Sequence, residues 1–410
     1  MARTPDRCGR VRADAARGDQ GELRRRAHPD ALRRDCVSGA RTRALVVLHE
    51  SGTISRSDLG SALGITRSTA AAIAAELCRA GYAEESGGRS GHVGRPSLTL
   101  RAQPTSIVVL SVDMRVDSCH ALAYGFGGAH LAREVIDREM AGMSPDEAGA
   151  TVARALEAVQ SALPAQSRVA AISISVPGIV DAYTGFVSYA PHLGWRDVEW
   201  GAAVLTALGT PLPVSFGNDA NLGALGEHLR GAGRGVEAML YVSGGIGIGG
   251  GYVERGRVRM GGAGFAGEIG HMPIDPDGEP CPCAARGCWE TLIGRDVIAS
   301  RWNGDYDDLL EAARRGDEEA LEVMNVTGHW LGLGLRGLIA ITDPARVVLG
   351  GHLAPLLPLV VAQVHAECAS LPQVRAGRVD IVAGALGQDA ALIGGGEVQI
   401  MATIGSVSPI

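Results

Sequence analysis

The chain contains no lysine. All 38 of its basic residues are arginine, set against 45 acidic ones in 410 residues, which points to a GC-rich genome rather than to a function. Aromatic residues are scarce, at 4%. No apolar run approaches the roughly eighteen residues that a membrane-spanning helix needs, so a helical membrane protein is excluded and no membrane partner is expected. The N-terminus is rich in arginine but has no apolar segment behind it, and does not read as a secretory signal. A cytoplasmic, reducing location is the expectation. Cysteines number only eight, and in that setting disulfides are not expected. What is present is the composition of a soluble globular protein, 46% hydrophobic and 20% charged, with 58 glycines. A chain of this length exceeds one ordinary domain, so two or three units are expected.

Charge divides the chain. Residues 1–101 hold 18 arginines against 11 acidic residues, a net of +7; the remainder holds 20 against 34, a net of −14. A basic head on an acidic body points to a head that meets a polyanion. Residues 1–29 have no apolar periodicity and read as a disordered, Arg-rich tail. From Asp30 the pattern turns helical, with Leu32, Cys36, Leu45, Val46 and Leu48 marking a helix or helix pair that ends at Ser51 and Gly52. Ser57 to Leu63 is a short helix broken by Gly64. Thr66 caps a second, over 67–80, with Ala70, Ile73, Ala74 and Leu77 on one face and Gly81 as its stop. Two short helices about a glycine turn, the second opening with Arg67, Ser68 and Thr69, read as a helix-turn-helix. These donors suit base edges and phosphates in a major groove. Residues 82–100 then form a β-hairpin wing, with Arg89 and Arg95 near its tip and base. Residues 30–101 are expected to be a winged helix-turn-helix domain whose partner is a double-stranded DNA operator; a small helical oligomerisation domain is the alternative.

Residues 103–105 read as a linker. Beyond it, strands are expected at 107–112, 121–124, 131–136, 169–176, 347–350 and 379–384, with another ending at Asn218 and Asp219. Helices are expected at 145–163, 221–230, 305–313 and 318–341. This alternation predicts an α/β fold with mixed sheets. The residues after Gly394 are apolar but weakly patterned, and the pattern assigns them no element. No internal sequence repeat is found.

Residues 241–290 concentrate the chemistry. Cys281, Cys283 and Cys288 crowd into eight residues of a loop punctuated by Pro280, Pro282 and Gly287, with His271 upstream. Three sulfurs and one imidazole make a complete tetrahedral set for a structural zinc. Such a closed site leaves no position for a catalytic water. The glycines of 244–251 either bring backbone amides up to a phosphate or end a tight hairpin. Glu268, His271 and Glu290 place two carboxylates and an imidazole on the metal-pinned loop. They suit the hydroxyls of a sugar, or they lie on a solvated surface.

The run from Gly244 to Gly249, then Gly267, Glu268, Ile269, Gly270 and His271, then Cys281, Cys283, Cys288 and Glu290, resembles the ROK family of sugar kinases and sugar-responsive repressors. The resemblance covers about 105–410. It implies a two-lobed, actin-like α/β fold, like that of the ROK sugar kinases, with a sugar or sugar phosphate between the lobes. His271, Cys281, Cys283 and Cys288 match the family's zinc ligands. Asn218, Asp219, Glu268, His271 and Glu290 match its sugar contacts, with Asp219 at the position of the base in the kinases. The chain departs from the family at Ala284, where glycine is usual, and at His192, where asparagine is usual. The stretch ending at Gly94, Arg95 and Pro96 resembles the winged helix that precedes the sugar-binding part of ROK repressors.

In the kinases the first strand opens Asp-x-Gly-Gly-Thr. Here Asp113 is followed by Arg115, Val116 and Asp117 at the last three of these positions, a degenerate phosphate-binding turn. The resemblance therefore implies a sugar-responsive repressor, binding DNA as a homodimer or homotetramer, with Asp219 a vestigial base. The alternative is an ATP-dependent, glucokinase-like sugar kinase that carries an extra DNA-binding domain.

Overall fold

A computed structural model describes residues 39–87, 98–262 and 264–406. Helix α1 (Ala40–Ser51) ends at Gly52, which adopts a φ of 66°. Strand β1 (Thr53–Ser55) follows, then α2 (Arg56–Leu63) and α3 (Arg67–Arg79), then β2 (Ala83–Gly87) and β3 (Leu98–Ala102). Ser55 and Thr66 cap α2 and α3 by accepting the N–H groups of Asp58 and Thr69. Gly64 turns the chain between the two helices in the left-handed region. The strands form an antiparallel sheet in the order β1-β3-β2. Ile54 pairs with Leu100. The expected helix start at Asp30, and Arg89 and Arg95 of the hairpin, lie outside the described residues.

The expected linker at 103–105 is not slack. The Gln103 N–H bonds to the Tyr82 carbonyl, its side chain donates to Glu84 at 2.7 Å, and Pro104–Ser106 forms a single 3₁₀ turn. Apolar residues of these first elements, among them Leu45, Leu48, Leu77 and Leu100, share one core with Val109, Leu122, Tyr124, Phe126, Leu392 and Ile400 from the rest of the chain.

Two lobes follow. The first contains β4 (Val108–Met114), β5 (Ser118–Gly125), β6 (Ala129–Asp137), α4 (Pro145–Ser161), β7 (Val169–Val176), a small ribbon of β8 (Ile179–Val180), β9 (Val187–Ala190) and β10 (Trp195–Val198), α5 (Trp200–Leu208) and β11 (Val214–Asn218). Helix α6 (Asp219–Arg230) leads out of it. The second contains β12 (Ala238–Gly244), β13 (Ile248–Glu254), β14 (Arg257–Val258), α7 (Glu290–Ile293), α8 (Arg295–Ser300), α9 (Tyr306–Arg315), α10 (Glu318–Thr342), β15 (Arg346–Gly351), α11 (Leu353–Cys368), α12 (Pro372–Arg375) and β16 (Asp380–Ala383). Helix α13 (Ala390–Ser406) leads out of that. The two main sheets run β6-β5-β4-β7-β11 and β14-β13-β12-β15-β16. In each, three antiparallel strands are joined by two parallel ones. The lobes repeat in structure although no repeat is visible in sequence, because the topology constrains alternation and length rather than residue identity.

Residues 395–406, which the pattern left without an element, form the greater part of α13. Its weak pattern has a physical cause: the helix is contacted on several sides, by α6, by β7 and β4 of the first lobe, and by α1. Helix α6 in turn packs on β13 and β12 of the second lobe. Each lobe thus sends its last helix across to the other, and the two helices meet. Glycine makes that meeting close. A Cβ on Gly394 would overlap the Leu222 carbonyl, and one on Gly226 the Ala390 carbonyl. Gly394→Ala is expected to lower stability by about 1–3 kcal/mol, the usual cost of overpacking, read as a shift in the midpoint of urea unfolding.

Candidate functional site

The site is assembled where the lobes meet. Strand β11 ends at Asn218, which caps α6: its Oδ1 accepts the Asn221 N–H at 3.0 Å. Its Nδ2 donates to the Gly178 carbonyl at 3.1 Å and to Asp219 Oδ1 at 3.0 Å. Asn218 is thus committed to holding its neighbour. Asp219 Oδ1 also accepts the Ala220 N–H at 2.8 Å, which fixes the carboxyl group at the head of the helix. Burial raises the Asp219 carboxyl to about 7; the nearby Asp113 and Glu268 push the same way, against the Ala220 amide and Arg115. A carboxyl titrating near neutrality is suited to accept a proton from a hydroxyl.

Arg115 fills the other side. Its Nε donates to Asp113 Oδ2 at 2.7 Å, its Nη2 to the Gln388 carbonyl at 2.6 Å and its Nη1 to Gln388 Oε1 at 3.3 Å. Ser175 Oγ donates to the other oxygen of Asp113. Ser175 and Gln388 were not singled out from the sequence. Gln388 lies 273 positions from Arg115, and no local pattern signals such a pairing. Val116 and Asp117 continue the turn, and Asp117 accepts a bond from Ser118.

The second lobe contributes Glu268, His271 and Glu290. His271 Nε2 lies 3.8 Å from Glu268 Oε2, and its Nδ1 lies 3.3 Å from Glu290 Oε1. His192, on a 3₁₀ turn of the first lobe, faces Glu290 at 4.0 Å. Gly247 lets them approach: a Cβ there would meet both side chains. The glycines of 244–247 form the turn of the β12–β13 hairpin, closed by the Gly245 N–H to the Gly247 carbonyl.

His271, Cys281, Cys283 and Cys288 converge, their ligand atoms all within 4.8 Å of one another. Cys281 Sγ lies 3.6 Å from His271 Nδ1, and Cys283 Sγ lies 3.6 Å from Cys288 Sγ. Tetrahedral bonds of about 2.3 Å to sulfur and 2.0–2.1 Å to nitrogen put neighbouring ligand atoms roughly 3.5–3.8 Å apart, so the donor set fits such a metal. The ring's other nitrogen faces Glu268, the usual arrangement for a metal-bound histidine. One imidazole therefore spans the donor cluster and the lobe junction. The loop is anchored by Trp289, which is buried and donates to the Trp330 carbonyl at 2.9 Å. Ala284 adopts a φ of 72°, a left-handed conformation that favours glycine.

Arg67, Ser68 and Thr69 are exposed on the first turn of α3, while Ala70, Ile73, Ala74 and Leu77 of the same helix are buried. They stand far in sequence from the lobe junction, and the structure does not bring the two groups together.

A two-lobed α/β body with a carboxylate-lined junction and a three-cysteine, one-histidine loop defines the class. The ROK family model matches residues 121–399, and the chain belongs to the ROK family. It is similar to a glucokinase of Halalkalibacterium halodurans, 36% identical over 248 residues that span 55% of this chain and 74% of the relative. It is also similar to a xylose repressor of Bacillus subtilis, 26% identical over 358 residues that span 86% of this chain and 92% of the relative. A solved ROK family transcriptional regulator, described as a homologue of the E. coli MLC protein, superposes with a TM-score of 0.71 at 25% identity, covering 89% of this chain and 96% of that one. The fold is the actin-like, two-lobed one of these proteins. Among the described residues, no helix is long and apolar enough to cross a membrane.

Metal analysis of protein purified without chelators is expected to find about one zinc per chain. Cys283→Ser is expected to abolish it; a metal-free native protein would rule the site out.

Proposed function

We propose that this chain is a sugar-responsive, DNA-binding transcriptional regulator of the repressor type, with a structural zinc and without kinase activity. Residues 30–101 are read as a winged helix-turn-helix and residues 105–410 as the sugar-binding body. The observation that carries the reading is the exposed opening of α3, with its arginine and two hydroxyls, mounted on a ROK body. The named repressor and regulator relatives, which match along most of this chain, support it. Asp219, Glu268, His271 and Glu290 would contact the sugar, with Asn218 holding Asp219 and His192 beside Glu290. Zinc on Cys281, Cys283, Cys288 and His271 would fix the loop that carries Glu268 and Glu290. The sugar would act through unequal affinity for two lobe arrangements, and a dimer would carry the change to two DNA half-sites.

The retained Asp219 favours a second reading, an ATP-dependent sugar kinase, since it can serve as base. Phosphoryl transfer depends more on holding and neutralising phosphates. Arg115, bonded to Asp113 and Gln388, occupies the turn that kinases leave to glycine, and this weighs against the kinase.

Arg67→Ala is expected to weaken operator binding. If Arg67 contacts a base, about 1–3 kcal/mol of discrimination is lost at that position; if it contacts phosphate, the salt slope falls by about one. Unchanged affinity and slope would remove Arg67 from the interface.

The deciding experiment measures DNA affinity and ADP formation together, with D-glucose and with D-xylose. A sugar that binds is expected to change DNA affinity without ATP turnover. Its own affinity is expected to fall as pH drops through about 7, by up to about tenfold per unit, because only the ionised Asp219 accepts the hydroxyl. Asp219→Asn is expected to bind weakly and flatten that profile. Sugar-dependent ADP formation abolished by Asp219→Asn would make the chain an enzyme.

A further inference from the structure

We propose that a buried knot of four side chains, His49, Tyr124, Arg230 and Glu397, is the joint through which a rearrangement of the two lobes reaches the N-terminal helices. The proposal rests on the regulator reading and concerns how that regulator is switched.

Glu397, on α13, is 2% exposed, and His49, on α1, is fully buried. Glu397 Oε1 accepts from Tyr124 Oη at 2.5 Å, from Arg230 Nε at 2.7 Å and from His49 Nε2 at 3.0 Å. The Gly127 N–H donates to His49 Nδ1 at 2.9 Å, and His49 Nε2 stands between Glu397 Oε1 and Arg230 Nη2, which lies 2.8 Å from it. The ring also stacks on Phe126 with centroids 5.3 Å apart. Arg230 does two things at once. Beyond Glu397, its Nη1 and Nη2 donate to the Glu50 and His49 carbonyls at 3.1 and 3.0 Å. Those are last-turn carbonyls of α1, left without helical partners and favourable to a cation. Burial pushes the Glu397 carboxyl up, yet its bonds to His49 and Tyr124 and the Arg230 charge hold it down to about 2, so the charged network is intact at neutral pH.

Each member comes from a different body. His49 belongs to the helix that supports α2 and α3. Tyr124 belongs to the first-lobe sheet. Arg230 ends α6, whose first residue is Asp219; the helix has 12 residues, about 18 Å of rod, and lies on the second-lobe sheet. Glu397 belongs to α13, which lies on the first-lobe sheet and begins beside Gln388, held by Arg115. The knot therefore joins the far end of α6 to the middle of α13, the two crossing helices whose first residues flank the site. A change in lobe angle alters the relation of α6 to α13. Arg230, bonded to both Glu397 and the end of α1, carries that change into α1. The tight turn at 103–106 leaves the first elements little freedom to ignore it. A buried network of charged hydrogen bonds tolerates few geometries, so such a joint switches between discrete arrangements.

The test uses full-length, zinc-loaded protein and the variants Glu397→Gln, Arg230→Met and Arg230→Lys. Operator affinity is measured with and without saturating D-xylose or D-glucose, and sugar affinity by calorimetry. In the native protein the sugar is expected to shift operator affinity about tenfold or more. Glu397→Gln and Arg230→Met are expected to bring that ratio to within about twofold of one, with sugar affinity changed less than about threefold, and Arg230→Lys to fall between. Where Arg230→Met does not fold, the other two carry the test. Folded variants that keep the native ratio would overturn the joint alone. So would folded variants that have lost DNA binding altogether, because the knot would then be a brace for α1. Native protein that binds sugar with no shift in operator affinity would remove the regulator reading and the joint with it.

Discussion

The close crossing of α6 and α13 is the constraint on which the rest of the structure depends. Gly226 and Gly394 let the backbones touch where any side chain would collide. Through that contact the last helix of each lobe packs on the sheet of the other. The same crossing sets Asp219 at the lobe junction, places Gln388 within reach of Arg115, and brings Arg230 and Glu397 together beneath α1. The site, the blocked turn beside it and the seat of the N-terminal helices are consequences of one packing event.

Around the junction, two kinds of rigidity work side by side. On the second lobe the rigidity comes from packing, with Trp289 buried and Ile269, Met272 and Ile274 set against the core behind four donors whose spacing fits a tetrahedral metal. On the first lobe it is hydrogen-bonded: Asn218 spends both ends of its amide on the backbone and on Asp219. The carboxyl group so fixed is raised towards neutrality by burial and by Asp113. Its acceptor strength is therefore set by the neighbours as much as by the residue. Arg115 belongs to the same logic. A guanidinium clasped by Asp113 and Gln388 neutralises one carboxylate and fills a turn, where glycine would leave backbone amides open.

Much of this was legible beforehand. Local signals carry most of it: Gly64 and Thr66 bound α2 and α3 as expected, with α2 beginning one residue early under the Ser55 cap, and the spacing of Cys281, Cys283, Cys288 and His271 anticipates their convergence. Capping and short-range ligand spacing act within a few residues, so a linear reading captures them. Ala284 shows the limit in miniature. The family's glycine marks the position as unusual, and the φ of 72° supplies the reason.

What the linear reading missed was long-range. The linker proved to be a bonded turn because Gln103 finds Tyr82 and Glu84 across a sheet. The apolar tail proved to be α13, whose pattern is blurred because it is packed on several sides at once. Sequence alone determined many of the elements, the donor set and the family, since these rest on local propensity and on residue types at short spacing. Only the tertiary structure decided that Arg115 closes on Gln388 and that His49, Arg230 and Glu397 meet. Those contacts span from 167 to 348 positions, and nothing in the order of residues encodes them until two helices cross.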